Sequence, residues 1–352
     1  MNQSLRINFT SFGDKVKDLL DTISVIPIDE KRKKINLADN IFGYKLIFNP
    51  PNPKLQIRLW NYIMPLVWNW EDSHEKVHKG SAYYFMGEIY LSLGDIPSAY
   101  ICFFNALEDD KTNFPHIPKM LKDAPAYRTT SLIDNPNNAL FLTVVKPLRT
   151  KLQEHIDNYK TRTKSKMKLD ILDLKFLQSD QLEDIKRFFV ATFHEMFHLN
   201  PLYSSRMINN DYSKLKIIDT LFNLGLIIDQ ILEHRFLKTI TEGRKNMATA
   251  VYQLALFMGW TTPKDTPSVP KFLGQVYPNL KGTPDTVIPH LIDGTATFKK
   301  IPMNNQMRVI FLAYYLRNLG GHNLKGINIL IQRYEKIQES MMDSFFVSIE
   351  AL

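Results

Sequence analysis

Apolar residues recur along this chain at three- and four-residue spacing, the period of helices with one face on a core, and rarely alternate as they would in half-buried strands. Between residues 214 and 237, Ile217, Leu221, Leu224, Ile228 and Leu232 form one stripe. Leu330, Tyr334, Ile337, Met341 and Phe345 form another within 326–349. The spacing predicts helices over 182–199, 214–237, 244–260, 306–318 and 326–349. The first is expected to stop at Asn200-Pro201, because proline disfavours helix at the residue before it. The helix at 306–316 is apolar nearly all round, through Val309, Ile310, Phe311, Leu312, Ala313 and Leu316, and so belongs at the centre of a bundle. No hairpin signal stands out, and the expected fold class is all-α.

The N-terminal region is organised differently. A weak helix over 12–23 leads to a charged turn at Asp29–Lys34 and then to Pro50, Pro51 and Pro53. Over 81–110, Tyr83, Gly87, Tyr90, Gly94, Ala99, Phe103 and Ala106 fall at the positions of two closely packed antiparallel helices, with Leu93-Gly94-Asp95 as the turn. This stretch resembles one tetratricopeptide unit, and no second copy follows it. A single unit cannot bury its own faces, so helices at 55–70 and 138–158 are expected to cover it, with Tyr90 and Phe103 filling the groove. The resemblance offers a groove for a protein or ligand regulator; the alternative is a plain helical hairpin. The expected organisation is a helical region at 1–158, a basic linker at 159–181, and a helical bundle at 182–352. The linker carries Lys160, Arg162, Lys164, Lys166 and Lys168 at every second position. An insertion at 261–303 holds seven of the nineteen prolines and reads as a long ordered loop.

Composition narrows the function. A chain of 352 residues with 44% hydrophobic content can bury a real core. One cysteine, Cys102, excludes an internal disulfide and a multi-cysteine zinc site, and fits a reducing cytosol. Residues 1–10 lack an apolar signal-peptide segment and no later run approaches bilayer length, so the expectation is a cytoplasmic chain without membrane contact. A net charge of +8 favours polyanionic partners, RNA among them.

Two clusters carry candidate chemistry. His194-Glu195-Met-Phe-His198 has the spacing that sets two imidazoles one helical turn apart for zinc, with Glu195 as general base. A third ligand is required, and Asp229, Glu233 or His234 on the following helix could supply it. The helical wheel sets Ile185, Phe189, Phe193 and Met196 on one face, with both histidines opposite beside Arg187 and Glu183. The second cluster is Arg317-Asn318-Leu-Gly320-Gly321-His322, at the end of the apolar helix. Rigid packing would hold Arg317 and Asn318 there, and the glycine pair lets the backbone turn His322 back toward them. A cation capping the helix carbonyls is the plainer alternative.

The second cluster and the helices around it resemble the HEPN superfamily, an all-α bundle that carries an Arg-polar-x3-His motif between its last two long helices. Arg317, Asn318 and His322 match that motif, and about the C-terminal half of the chain matches the bundle. The resemblance implies a metal-independent endoribonuclease without a cofactor, acting as a homodimer in which two motifs share one cleft. In that scheme the RNA 2′-OH attacks the adjacent phosphate. Arg317 stabilises the charge that develops, His322 moves protons and Asn318 orients the phosphate or the imidazole. It also implies a role in prokaryotic antiviral defence or a toxin system, with the N-terminal half sensing a trigger. Two other readings stand beside it: a zinc metallopeptidase through His194, Glu195 and His198, and a non-catalytic helical adaptor.

Overall fold

The computed structural model describes residues 9–41, 52–113, 118–205, 207, 211–238, 246–320 and 327–352. The fold is essentially all-α, with seventeen helices among the described residues. They divide into two compact units, Met1–Val144 and Val145–Leu352.

The first unit contains α1 (Phe9–Ser24), α2 (Lys31–Ile41), α3 (Pro53–Glu71), α4 (Gly80–Ser92), α5 (Ile96–Asn113) and the short α6 (Pro118–Asp123) and α7 (Pro125–Thr130). Helix α3 starts where Asn52 accepts from the backbone N–H groups of Lys54 and Leu55, with Pro53 at a position whose missing N–H costs nothing. Val16, Leu20, Trp60, Ile63, Val67 and Ala82 join α1, α3 and α4 in one core.

Helices α4 and α5 form the antiparallel pair expected over 81–110, turning at Gly94, whose φ of 77° suits glycine. A Cβ at Gly87 would lie 2.4 Å from the ring of Phe103, so the absent side chain is what lets the two helices close. Across the hairpin, Phe103 meets the Tyr84 ring at 5.7 Å, whereas Tyr90 is half-buried. Gly87→Ala is expected to lower stability by about 1–3 kcal/mol through overpacking. An unchanged melting temperature would show that Phe103 can swing aside.

The cover after the hairpin differs from expectation. It comes from α7, and from Asn138, which accepts from the Tyr84 hydroxyl at 3.0 Å and donates to Thr129 at 3.1 Å. The helix predicted over 138–158 is instead α8 (Lys146–Thr163), which belongs to the second unit.

The second unit begins well before residue 182. The stretch read as a basic linker contains the end of α8 and the short α9 (Leu169–Leu172), and it falls within this unit. Tyr159 and Phe176 are fully buried, and Arg162 forms a forked pair with Asp343 at 2.8 and 2.7 Å. Charge at alternate positions suggested solvent; the buried Tyr159 and Phe176 on either side of those charges, and Met167 among them, anchor the segment.

Next come α10 (Glu183–Ser204), α11 (Asp211–Phe236), α12 (Met247–Phe257), α13 (Val269–Leu280), α14 (Pro284–Ile292), a two-residue hairpin of β1 (Thr297–Phe298) and β2 (Ile301–Pro302), α15 (Asn305–Gly320), α16 (Ile327–Gln332) and α17 (Tyr334–Ala351). Helix α10 runs past Asn200 and includes Pro201. Its last turn is fixed from outside, because Asn200 accepts from the Tyr334 hydroxyl at 2.9 Å and the Tyr203 hydroxyl donates to the Ile331 carbonyl at 2.7 Å. The final helix predicted over 326–349 is broken at Arg333 into α16 and α17.

The proline-rich insertion is largely helical. Pro270 and Pro284 sit in the first turns of α13 and α14, where a fixed φ assists the helix. The hairpin that follows turns through Lys299 and Lys300, both at positive φ.

Helix α11 is the hub of the unit and packs against α10, α12, α15, α16 and α17. Its predicted stripe, Ile217, Leu221, Leu224, Ile228 and Leu232, is fully buried. Helix α17 is buried on nearly every face, with Phe345 stacked on Phe189 at 4.1 Å. No helix among the described residues is long and apolar enough to cross a membrane.

Candidate functional site

Helix α15 starts where the Asn304 side chain accepts from the Met307 N–H at 2.8 Å, and its apolar length is buried through Ile310, Phe311, Leu312, Ala313 and Leu316. Its polar end follows at once. Arg317 is 37% exposed at the side chain, whereas Asp229 on α11, to which its Nε donates at 2.7 Å, is 1% exposed. The guanidinium is therefore gripped from inside while a large part of it still meets solvent. Arg317 Nη1 also reaches the side-chain oxygen of Asn318 at 3.5 Å. The neighbouring Tyr314 hydroxyl shares a hydrogen bond with Asn318, and burial raises the Tyr314 pKa.

A close helix crossing sets this geometry. A Cβ on Gly225 would lie 3.4–3.5 Å from Arg317 Cβ, Cα and N, so α11 and α15 are in van der Waals contact there. Asp229 lies one turn beyond Gly225 on the same face of α11, which brings its carboxylate against the Arg317 side chain. Burial raises the Asp229 pKa from 3.8 to about 6, with Arg317 pulling it back and Glu233 adding to the rise. Its Oδ1 is buried without a hydrogen-bond partner. A carboxylate in such a place costs stability, and the Nε bond fixes the plane of the arginine fork.

Arg317 and Asn318 are thus brought together at the solvent end of α15. His322 lies outside the described residues. Asp229 was considered from the sequence only as a metal ligand. The signal for its present role was an acidic residue set among Ile227, Ile228, Ile231 and Leu232, which a helical wheel turns toward the core.

The His194 cluster is arranged otherwise. On α10, Phe193 and Met196 are buried, His194 is half-buried and His198 is exposed. Burial, with His198 adding to the effect, lowers the His194 pKa to about 4 and keeps this imidazole neutral near pH 7. Glu195 Oε1 lies 3.4 Å from Lys216 Nζ. The face expected to be polar and open is closed at its start, where Arg187 is 6% exposed and paired with Glu183. Of the proposed third ligands, Asp229 is taken by Arg317. No group of three His, Cys, Asp or Glu among the described residues is placed to hold a metal ion.

Comparison with protein-family models, curated proteins and solved structures gives no match for this chain. The reading of Arg317 therefore rests on its geometry and on the sequence around it.

Proposed function

We propose that this chain is a metal-independent endoribonuclease of HEPN type, in which Arg317, Asn318 and His322 form half of a site completed by a second copy of the chain. One observation carries the reading: a partly exposed guanidinium whose orientation is fixed by a fully buried carboxylate across a helix crossing. An arginine that only capped its helix would need no such anchor. An arginine that must present a rigid fork to a phosphate does.

The chemistry needs no cofactor. Attack by the RNA 2′-oxygen forms an O2′–P bond and breaks the P–O5′ bond, leaving a 2′,3′-cyclic phosphate and a 5′-hydroxyl. His322 accepts the 2′-OH proton, and the His322 of the second copy returns a proton to the leaving 5′-oxygen. Arg317 neutralises charge on the pentacoordinate phosphorus, and Asn318 holds a phosphate oxygen or the imidazole. Asp229 acts through Arg317, keeping its Nη edge turned outward. By resemblance, the setting is prokaryotic defence or a toxin system, with the N-terminal unit as regulator.

Incubation of the purified chain with RNA in excess EDTA, followed by end-group analysis, tests the reading. Cyclic-phosphate termini are expected, formed by a species that sediments as a dimer. A monomer that cleaves equally well would remove the composite site, and 3′-hydroxyl products would replace the mechanism.

A further inference from the structure

The end of α10 is fastened to the start of α17, and beside that joint the second unit holds a cavity of about 260 Å³ lined by α8, α10 and α17. The Tyr334 hydroxyl donates to Asn200 at 2.9 Å, the Tyr203 hydroxyl donates to the Ile331 carbonyl at 2.7 Å, and the two tyrosine rings lie 4.9 Å apart. The volume falls just under that of drug-sized sites, roughly 300–1,000 Å³, so a compact ligand fits it. One lining group calls for a ligand. Gln338 on α17 is 5% exposed, yet its side-chain amide has no hydrogen-bond partner among the described residues. Nor is that amide among the polar groups sealed from solvent, so the surface it keeps opens on the cavity it lines. A buried amide is ordinarily bonded, and here the partner has to come from the cavity.

The charge of the lining selects the ligand. Glu154, Glu335 and Glu339 against Lys151 leave two negative charges in excess. On α8, Lys151 donates to Glu154 at 2.7 Å, and those two charges cancel. His155 adds none, because burial, with Lys151 next, lowers its pKa to about 4 and keeps the ring neutral near pH 7. The excess therefore lies on α17. There Glu335, Gln338 and Glu339 are three and four residues apart and share one face of the helix. Glu335 has no ion-pair partner among the described residues, and its charge adds to the burial that raises the Tyr203 pKa. Glu339 is half exposed and 3.7 Å from Arg162, whose fork is already closed on Asp343 at 2.8 and 2.7 Å. Two carboxylates one turn apart, with an unused amide oxygen beside them, fit a ligand whose two cations are joined by a short chain.

We infer that this cavity binds a small aliphatic diamine, with its ammonium groups on Glu335 and Glu339 and one N–H donated to the Gln338 amide oxygen. The inference is independent of the ribonuclease reading, because the lining includes neither Arg317 nor Asn318 and binding is read without RNA.

Calorimetric titration of the full chain with 1,4-diaminobutane, 1-aminobutane and 1,4-butanediol tests it, since the three share one carbon chain and carry two, one and no ammonium groups. The diamine is expected to saturate at one per chain. The monoamine should bind at least about tenfold more weakly, and the diol more weakly still. Glu335→Gln should lower the diamine affinity about tenfold, and Gln338→Met, which keeps the volume and removes the amide, by a similar factor. Glu335 is exposed, so its effect is read whatever Gln338→Met does to the core. Asp184→Asn removes a carboxylate that is 98% exposed on α10 and outside the lining, and should leave the affinity unchanged. No saturable heat with the diamine, equal affinity for monoamine and diamine, affinity indifferent to Glu335→Gln or to a folded Gln338→Met, or an equal loss in Asp184→Asn would each overturn the assignment.

Discussion

Arg317→Ala is expected to slow RNA cleavage in EDTA by about 10²–10³-fold, the effect of removing one pre-oriented donor from a charged transition state. Because Arg317 also answers the buried carboxylate of Asp229, the single variant should lose stability as well, by about 1–3 kcal/mol, as that carboxylate is left unpaired. The Arg317→Ala/Asp229→Asn variant separates the two effects. It is expected to regain thermal stability and to remain as inactive as the single variant. Recovery of cleavage in the double variant would make Arg317 a structural cation. Arg317→Lys keeps the charge but cannot hold Asp229 and present a fork at once, so it should also be poorly active. His322→Ala is expected to lose about 10²–10⁴-fold through the proton transfers. Equal rates in wild type, Arg317→Ala and His322→Ala would end the ribonuclease reading.

Asp229→Asn is expected to stabilise the protein at pH 7 while reducing cleavage by about tenfold, a loss that corresponds to roughly 1.4 kcal/mol of orientation in the transition state. The pKa of this carboxyl rises from 3.8 to about 6, chiefly through burial and against the pull of Arg317. The native chain therefore holds the proton more firmly than the unfolded chain. The stability that Asp229 contributes is fully present below its unfolded pKa of 3.8 and is lost as pH rises through about 6. At pH 7 the cost of keeping it ionised is on the order of 3 kcal/mol, at about 1.36 kcal/mol per unit of pKa difference. Asparagine has the same shape, retains an oxygen for Arg317 Nε and has no charge to bury. Thermal melting across pH 4–7 should show wild type losing stability relative to Asp229→Asn as pH rises. A variant less stable than wild type at pH 7 would mean that the ion pair outweighs the burial. A variant with full activity would mean that the orientation of Arg317 does not matter.

The bundle was legible because burial follows the helical period. The stripes through Ile217–Leu232 and Leu330–Phe345 are buried as read, and α4 and α5 form the expected hairpin around Gly87 and Gly94. Two of the misreadings, at Pro201 and at the supposed linker, are local rules overridden by distant contacts; the other two are local signals of a different kind. Pro201 lies inside α10 because Tyr203 and Asn200 are tied to Ile331 and Tyr334. The insertion forms helices because Pro270 and Pro284 fall in first turns. The hairpin at 297–302 carried none of the usual Asn-Gly signal, since two lysines take its positive φ angles. The supposed linker is anchored by Tyr159, Phe176 and Arg162.

For the candidate site, the sequence by itself determined that Arg317 and Asn318 end an apolar, core-forming helix, because periodicity and composition are properties of neighbours in the chain. Only the tertiary structure decided what holds Arg317. Its partner is 88 positions away, on α11, and the pair exists because α11 and α15 cross where Gly225 packs on the Arg317 backbone, one turn before Asp229. Helical spacing fixes which face a residue occupies, whereas the place where two faces meet depends on the volumes of every side chain between them.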